Sequence, residues 1–306
     1  MTIYNLGSIN ADLFYSVPHL PGPGETLAAT AYSTGLGGKG ANQSVAAALA
    51  GSNVVHIGAI GRDGLWTVQR LREFGVDTAH VSILEIPTAH AIINVDPQGE
   101  NAIVVFPGAN MEQSLTQVES TLSAASIGDM LILQNETNLT IQAAQIAKTR
   151  GLDVIYSAAP FSASAVEQML PHTDMLVMNA VEAEQLTKSL DVALDQLDVP
   201  HLLITQGGDG ATWYDLQDND EIHIPAFSTT PVDTTGAGDC FIGTLAAGLD
   251  QGFDRAQAMR RAAAASAIQV TRPGTADAIP SRDEVDEFLN AHAPAQEPLL
   301  LRNSTG

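Results

Sequence analysis

Five short apolar runs, Val54–Ile57, Met130–Leu133, Val154–Tyr156, Met175–Met178 and Leu202–Thr205, punctuate the chain. Runs of this kind, too short for helices and without a polar alternate face, read as strands buried on both sides of a parallel sheet. Between them lie stretches of helical periodicity: Ala41–Ala50, Val68–Phe74, Ile141–Thr149, Glu182–Leu190, and an alanine-rich pair from Ala237 to Val270 divided near Gly252. Parallel strands need a crossover, and a helix supplies it. The alternation therefore predicts an α/β fold, a doubly wound, mostly parallel sheet flanked by helices, formed as a single domain over residues 1–292. With 306 residues and 45% hydrophobic content, the chain can bury such a core.

Two regions break the rhythm. Strands inserted from about 12–33 and 89–106 are bounded by Pro-Gly, Gly-Pro and Pro-Gln-Gly turn signals. They read as a small accessory β-sheet, with ordinary surface loops as the other reading. Residues 293–306 read as a frayed C-terminal tail. Met1–Asn10 lacks a basic segment followed by a long apolar one, so it reads as a first strand rather than a signal peptide. No apolar run approaches the ~20 residues that span a bilayer. A single cysteine, Cys240, leaves no internal disulfide and suggests the cytoplasm. The formal charge of −22 opposes attraction to nucleic acids and anionic membranes, and neither is expected as a partner. Only three lysines occur, Lys39, Lys148 and Lys188, and the first lies in the most glycine-rich stretch.

The strongest chemical signal is Asp233-Thr234-Thr235-Gly236-Ala237-Gly238-Asp239, a glycine-rich turn running into a predicted helix at Cys240–Gly248. Backbone N–H groups at such a helix start converge on one spot, and the positive helix end favours an anion there. By spacing alone Asp239 reads equally as a helix-capping carboxylate or as a base that accepts a proton from an attacking hydroxyl. A second segment, Gly35-Leu36-Gly37-Gly38-Lys39-Gly40-Ala41-Asn42-Gln43, also precedes a helix. It contains G-x-G-x-x-G with Asp63 about twenty residues on, as in nicotinamide-binding loops. It does not follow the first strand directly, however, which argues against that reading. Nor is it a Walker A loop, since Gly40 follows the lysine where Ser or Thr is required. Cys240 reads as a small packed residue, and the eight histidines show no metal-ligand spacing.

G-G-K-G-A-N-Q at Gly37–Gln43 and D-T-T-G-A-G-D at Asp233–Asp239 together resemble the two signatures of the ribokinase-like, phosphofructokinase-B type carbohydrate kinase family. Leu6–Asp12, Pro23–Thr26, Pro107–Asn110, Asn179 with Glu182, and Thr205–Gly210 agree in order, so the resemblance runs from residue 3 to about 290. It implies ATP-dependent phosphorylation of a small sugar, first of all ribose to ribose 5-phosphate, with Asp239 as base and Gly236, Ala237 and Gly238 as an anion hole. The implied sugar site is Asn10, Asp12, Gly38, Lys39, Asn42 and Glu136, with Asp239 reaching the same hydroxyl. Asn179, Thr205, Gly207, Gly210 and Gly238 match nucleotide positions. Glu182 matches the acid that holds Mg²⁺ through water. Asp233, Thr235, Gln269, Arg272 and Gly274 match a monovalent-cation site, for K⁺ in the first instance, built largely from backbone carbonyls.

The resemblance further implies that the small sheet closes as a lid over the sugar, excluding water, and that two lids can pair in a homodimer. Two segments depart from the family pattern: Gly61–Trp66, and Ser157-Ala158-Ala159-Pro160, where Asn-Pro-Ala is usual. The second leaves other acceptors open, among them fructose, deoxyribose, a sugar acid or adenosine. A non-catalytic sugar-binding regulator on the same scaffold is the reading from another class.

Overall fold

The computed structural model describes residues 1–292 and the backbone of 299–300. β1 (Thr2–Leu6) opens a large sheet, and β2 (Asn10–Ser16) and β3 (Ala31–Gly37) enter a small one. α1 (Lys39–Leu49) leads back to β4 (Asn53–Gly61), α2 (Leu65–Glu73) and β5 (Asp77–Leu84). β6 (Ala89–Val95) and β7 (Asn101–Phe106) return to the small sheet. The chain then alternates through α3 (Leu115–Leu122), β8 (Met130–Leu133), α4 (Thr140–Arg150), β9 (Asp153–Ser157), α5 (Ala163–Met169), β10 (Met175–Asn179), α6 (Ala180–Leu190) and β11 (His201–Thr205). β12 (Ala211–Asp215), β13 (Asp220–Ile224), α7 (Ala237–Asp250), α8 (Arg255–Gln269), α9 (Arg282–Ala291) and the two-residue β14 (Leu299–Leu300) follow. Of the tail expected to fray, β14 pairs with β13, and 293–298 and 301–306 lie outside the described residues.

The large sheet runs β5-β4-β1-β8-β9-β10-β11-β12-β13-β14, parallel from β5 to β11 and antiparallel beyond. Alternate residues of its central strands serve two cores. Ile3 and Ile132 pack under α1, α7 and α8, while Tyr4, Leu6, Leu131 and Leu133 pack under α3 to α6. Burial on both faces is why these strands read as unbroken apolar runs. Helix starts carry their own stops: Asn179 and Glu182 cap α6 reciprocally, as Ser281 and Glu284 cap α9.

The small sheet has the order β3-β2-β6-β7. Its strands occupy 10–16, 31–37, 89–95 and 101–106, so the first insertion begins earlier and ends later than 12–33, and residues 17–30 form its connecting loop. Asp63 does not await a ribose. Its carboxylate accepts from Thr88 N at 2.9 Å and Thr88 Oγ1 at 2.8 Å, anchoring the entry to β6.

Candidate active site

Strand order reverses between β1 and β8, and in an open α/β sheet the crevice beyond that reversal is where ligands bind. The loops that leave these two strands are residues 7–9 and 134–139. α1 starts directly on the first of them. A Cβ on Gly40 would lie 2.4 Å from Gly7 Cα, so only a glycine lets the helix sit that close. Its first residue, Lys39, and its second turn therefore face the crevice.

The proposed sugar ligands gather here. Asn10 Oδ1 accepts from Asn110 Nδ2 at 2.8 Å, and Asn110 Oδ1 in turn accepts from Ile9 N at 3.0 Å. Glu136 accepts from Lys39 N at 3.0 Å and from the Ser8 hydroxyl. Asp12, 6% exposed, has its carboxyl pushed up to about 7 by burial and by the neighbouring charge of Glu136. Burial works against the charge of Lys39, but Asp239, Glu136 and Glu182 outweigh it and hold the ammonium above its ordinary value. Asn42 donates from Nδ2 to Asp239 Oδ2 at 3.1 Å, while its buried Oδ1 has no partner among the described residues. An unpartnered buried acceptor of this kind suits a hydroxyl donor.

Asp239 stands at the third position of α7, behind the cap Gly236. Its carboxylate does not close its own helix; it accepts from Asn42 Nδ2 and, at 2.9 Å, from Gln43 Nε2. Of the two roles left open by the spacing, a hydrogen-bonding cap is not the one its contacts make. Burial raises its pKa, opposed by Lys39 and by the two amide donors. Of the N–H groups expected to form the anion hole, that of Ala237 is engaged in the turn, donating to Thr234 O at 3.2 Å. Those of Gly236 and Gly238 have no partner among the described residues. Cys240 beside them is buried, its thiol pushed up to about 12 by that burial, as a packed residue should be.

On the other side of Asp239 opens a cavity of about 760 Å³. Its lining includes Lys39, Asn179, Glu182, Thr205, Gly207, Gly210, Gly236, Ala237, Gly238 and Asp239. Apart from Gly207 and Gly210, which lie in the turn between β11 and β12, these residues lie at the C-terminal end of a strand or the start of a helix. Ser157 and Ala159, from the departing segment, also line it. So does a wall that the sequence did not flag, Ala226–Thr229 with Ala263, Ala267 and Val270 of α8 and its end, which offers apolar surface beside the polar floor. Lys39 and Asp239 alone belong to both the cavity lining and the sugar-side cluster, and they mark the junction of the two.

Glu182 Oε2 accepts from Asn179 N at 2.8 Å; among the described residues its other oxygen has no partner. A single carboxylate so placed fits an ion that keeps most of its water, as Mg²⁺ does. Further along, Asp233 accepts from Thr235 N at 2.9 Å and Gly274 N at 3.0 Å, and Gln269 Nε2 donates to Thr235 O at 3.2 Å. These contacts bring 233–235, 269 and 274 together. The Gln269 Oε1 atom is buried there without a partner among the described residues, and oxygen donors of this type fit an alkali cation. The Arg272 side chain turns away to pair with Glu284, so only its backbone can face such an ion.

A doubly wound sheet whose reversal point gathers a helix start with N–H groups unpartnered among the described residues, a buried carboxylate and a polar cluster is the arrangement expected of a phosphotransferase of α/β class. More particularly, the chain belongs to the pfkB family of carbohydrate kinases, whose pattern matches residues 2–282. A ribokinase of Haemophilus influenzae is 37% identical, the match covering 94% of this chain and 98% of that one. A deoxyribokinase of Salmonella typhi is 32% identical over 95% of this chain and 99% of its own. The structure of an Arabidopsis thaliana ribokinase complexed with ribose and ATP superposes with a TM-score of 0.81 at 28% identity, covering 94% of this chain and 98% of that one. Among the described residues no helix is long and apolar enough to cross a membrane.

Proposed function

We propose that this kinase transfers the γ-phosphoryl group of ATP to the 5-hydroxyl of ribose. The observation that carries the reading is the position of Asp239, at the junction between the large cavity and the cluster of Asn10, Asp12, Lys39, Asn42 and Glu136. The relatives that act on ribose, and the neighbour bound to ribose and ATP, support the choice of substrates.

In this mechanism the nucleobase rests on the apolar wall of Ala226–Thr229 and α8, and the phosphates reach the start of α7 past Thr205, Gly207 and Gly210. Asn10, Asp12 and Glu136 accept from sugar hydroxyls, and Lys39 donates. Asp239 takes the proton of the primary hydroxyl as its oxygen bonds to the γ-phosphorus. The bond to the β–γ bridging oxygen breaks, and ADP leaves with that electron pair. The N–H groups of Gly236 and Gly238, supported by Lys39, face the charge developing on the phosphoryl oxygens. Glu182 would hold Mg²⁺ through water, the ion supplying charge neutralisation on the phosphates. K⁺ held by the carbonyls of 233–235 and 269–274 would fix the loop that precedes the anion site.

The small sheet serves as the lid, since β2 carries both Asn10 and Asp12, and closure would keep water from the phosphoryl group. Its outer face exposes Tyr32, Ile92 and Val104, which supports pairing with a second copy. The cytoplasm, where ATP and reduced thiols coexist, is the compartment we assign.

Asp239→Asn is expected to bind ATP and fold normally but to lose at least ~10²-fold in kcat, the contribution of a positioned base. Near-normal turnover would refute the role. Deoxyribose is the second acceptor to weigh, because a deoxyribokinase is 32% identical. Comparing kcat/KM across ribose, deoxyribose, fructose and adenosine with ATP decides between them; a preference for any other acceptor would overturn ribose, and sugar binding without ADP release would overturn the kinase reading altogether.

A further inference from the structure

Beneath the site lies a run of buried side-chain amides that reaches it through Asp239. Asn5, Gln43 and Gln134 are each at most 1% exposed. The run starts at a backbone carbonyl, which can only accept: Asn5 Nδ2 donates to Gly40 O at 2.9 Å, and also to Ser44 Oγ at 2.9 Å. That fixes the Asn5 amide, so its Oδ1 must accept, and Gln134 Nε2 donates to it at 3.0 Å. The same Gln134 Nε2 donates to Gln43 Oε1 at 2.7 Å. Gln43 is thereby oriented with its Nε2 toward Asp239 Oδ1, at 2.9 Å.

We propose that Asn5, Gln134 and Gln43 form a polarity relay that sets the direction of the Gln43 amide, making Gln43 a positioning residue for the base Asp239. The relay rests on the reading of Asp239 given above. A free Gln43 amide presents a donor or an acceptor to Asp239 with similar ease, and the acceptor orientation sets two oxygens against each other. The relay removes that choice. Together with Asn42 Nδ2 it places one N–H on each carboxylate oxygen, leaving the remaining lone pairs for the substrate proton. It also favours the ionised carboxylate that a base must be.

Several other charges face Asp239, and they define what must be held constant. Lys39 from α1 and Glu136 from the loop after β8 act on it directly, while Glu182 at the start of α6 acts on Lys39 and Asp12 is linked through Glu136. His56, joined to the relay through Ser44, is held down to about 4 by burial, so it is neutral through the working range. None of these is altered by changing Gln43 or Gln134.

The test is the pH profile of kcat with saturating sugar and ATP, run on the full-length chain. Gln43→Leu is expected to lower kcat ~10-fold and to move its acid limb up by about one pH unit, with the sugar KM within ~3-fold of wild type. Gln43→Glu, which sets a second carboxylate against Asp239, should move the limb further. Gln134→Met, one link removed and clear of Asp239, should move it in the same direction by less. A residue that merely fills the core would lower the melting temperature and leave the limb where it was. An unmoved limb in folded Gln43→Leu overturns the relay, and if that variant does not fold, an unmoved limb in Gln134→Met does so instead. An active Asp239→Asn variant would instead sink the underlying reading, so the two failures are distinct.

Discussion

The carboxylate of Asp12 is held where its charge is poorly solvated and where Glu136 repels it, and its pKa of about 7 has a consequence for stability. A carboxyl whose folded pKa exceeds its unfolded value stabilises the fold below about pH 4 and loses that contribution as pH rises to about 7. Asp12→Asn keeps the shape and removes the titration. It is therefore expected to melt like the parent near pH 4 but to be more stable by on the order of 2 kcal/mol at pH 8, with a sugar KM at least tenfold higher. Equal melting curves at both pH values would contradict the shift. Asn10, Asp12, Lys39 and Asp239 could be singled out from the sequence because they sit in short motifs whose chemistry is local, and the fold brings them to one crevice. Gln43 was visible as a letter of a motif, but Gln134 was not visible at all. Its role depends on a partner 91 positions away, and an amide among apolar residues carries no local signature.

At the scale of elements, the decisive event is the approach of α7 to α1. Asp239 is one turn before Gly243, where a Cβ would fall 2.3 Å from Gln43 O and 2.6 Å from Ala46 Cβ. A side chain at 243 forces the two helices apart and so lengthens the hydrogen bonds from Asn42 and Gln43 to the Asp239 carboxylate. Gly243→Ala is expected to cost about 1–3 kcal/mol of stability and to lower kcat at temperatures where the protein is still fully folded. Unchanged kcat with lowered stability would show that the base tolerates the displacement. Elements buried on both faces were the most legible, and β8 spans the very residues Met130–Leu133 of its apolar run. β5, β12 and β13 were not read from the sequence. They lie at or near the sheet edges, and their apolar runs are broken by His80, Thr212 and Glu221.

Taken whole, the molecule carries a formal charge of −22, yet sets the ammonium of Lys39 at the start of α1 among Asp239, Glu136 and Glu182. Apolar surface is concentrated too. Ile92 and Val104 face each other across β6 and β7 on the outer side of the small sheet, and Val104 is 65% exposed. Val104→Glu, tolerated by the single chain, is expected to convert a dimer into monomers in light scattering; a wild-type mass equal to one chain at every concentration would refute pairing through this face. The small sheet was legible as two inserts because turn signals bracket them. How it is joined to the rest was not legible, because that depends on a backbone angle. β3 ends at Gly37 and α1 begins at Lys39, with only Gly38, at φ 93°, between them. The linkage has one joint and no slack. In the mechanism proposed above, whatever displaces the small sheet would also pull on the helix that carries Lys39, Asn42 and Gln43, so arrival of the acceptor and alignment of the Asp239 carboxylate would be a single mechanical stroke.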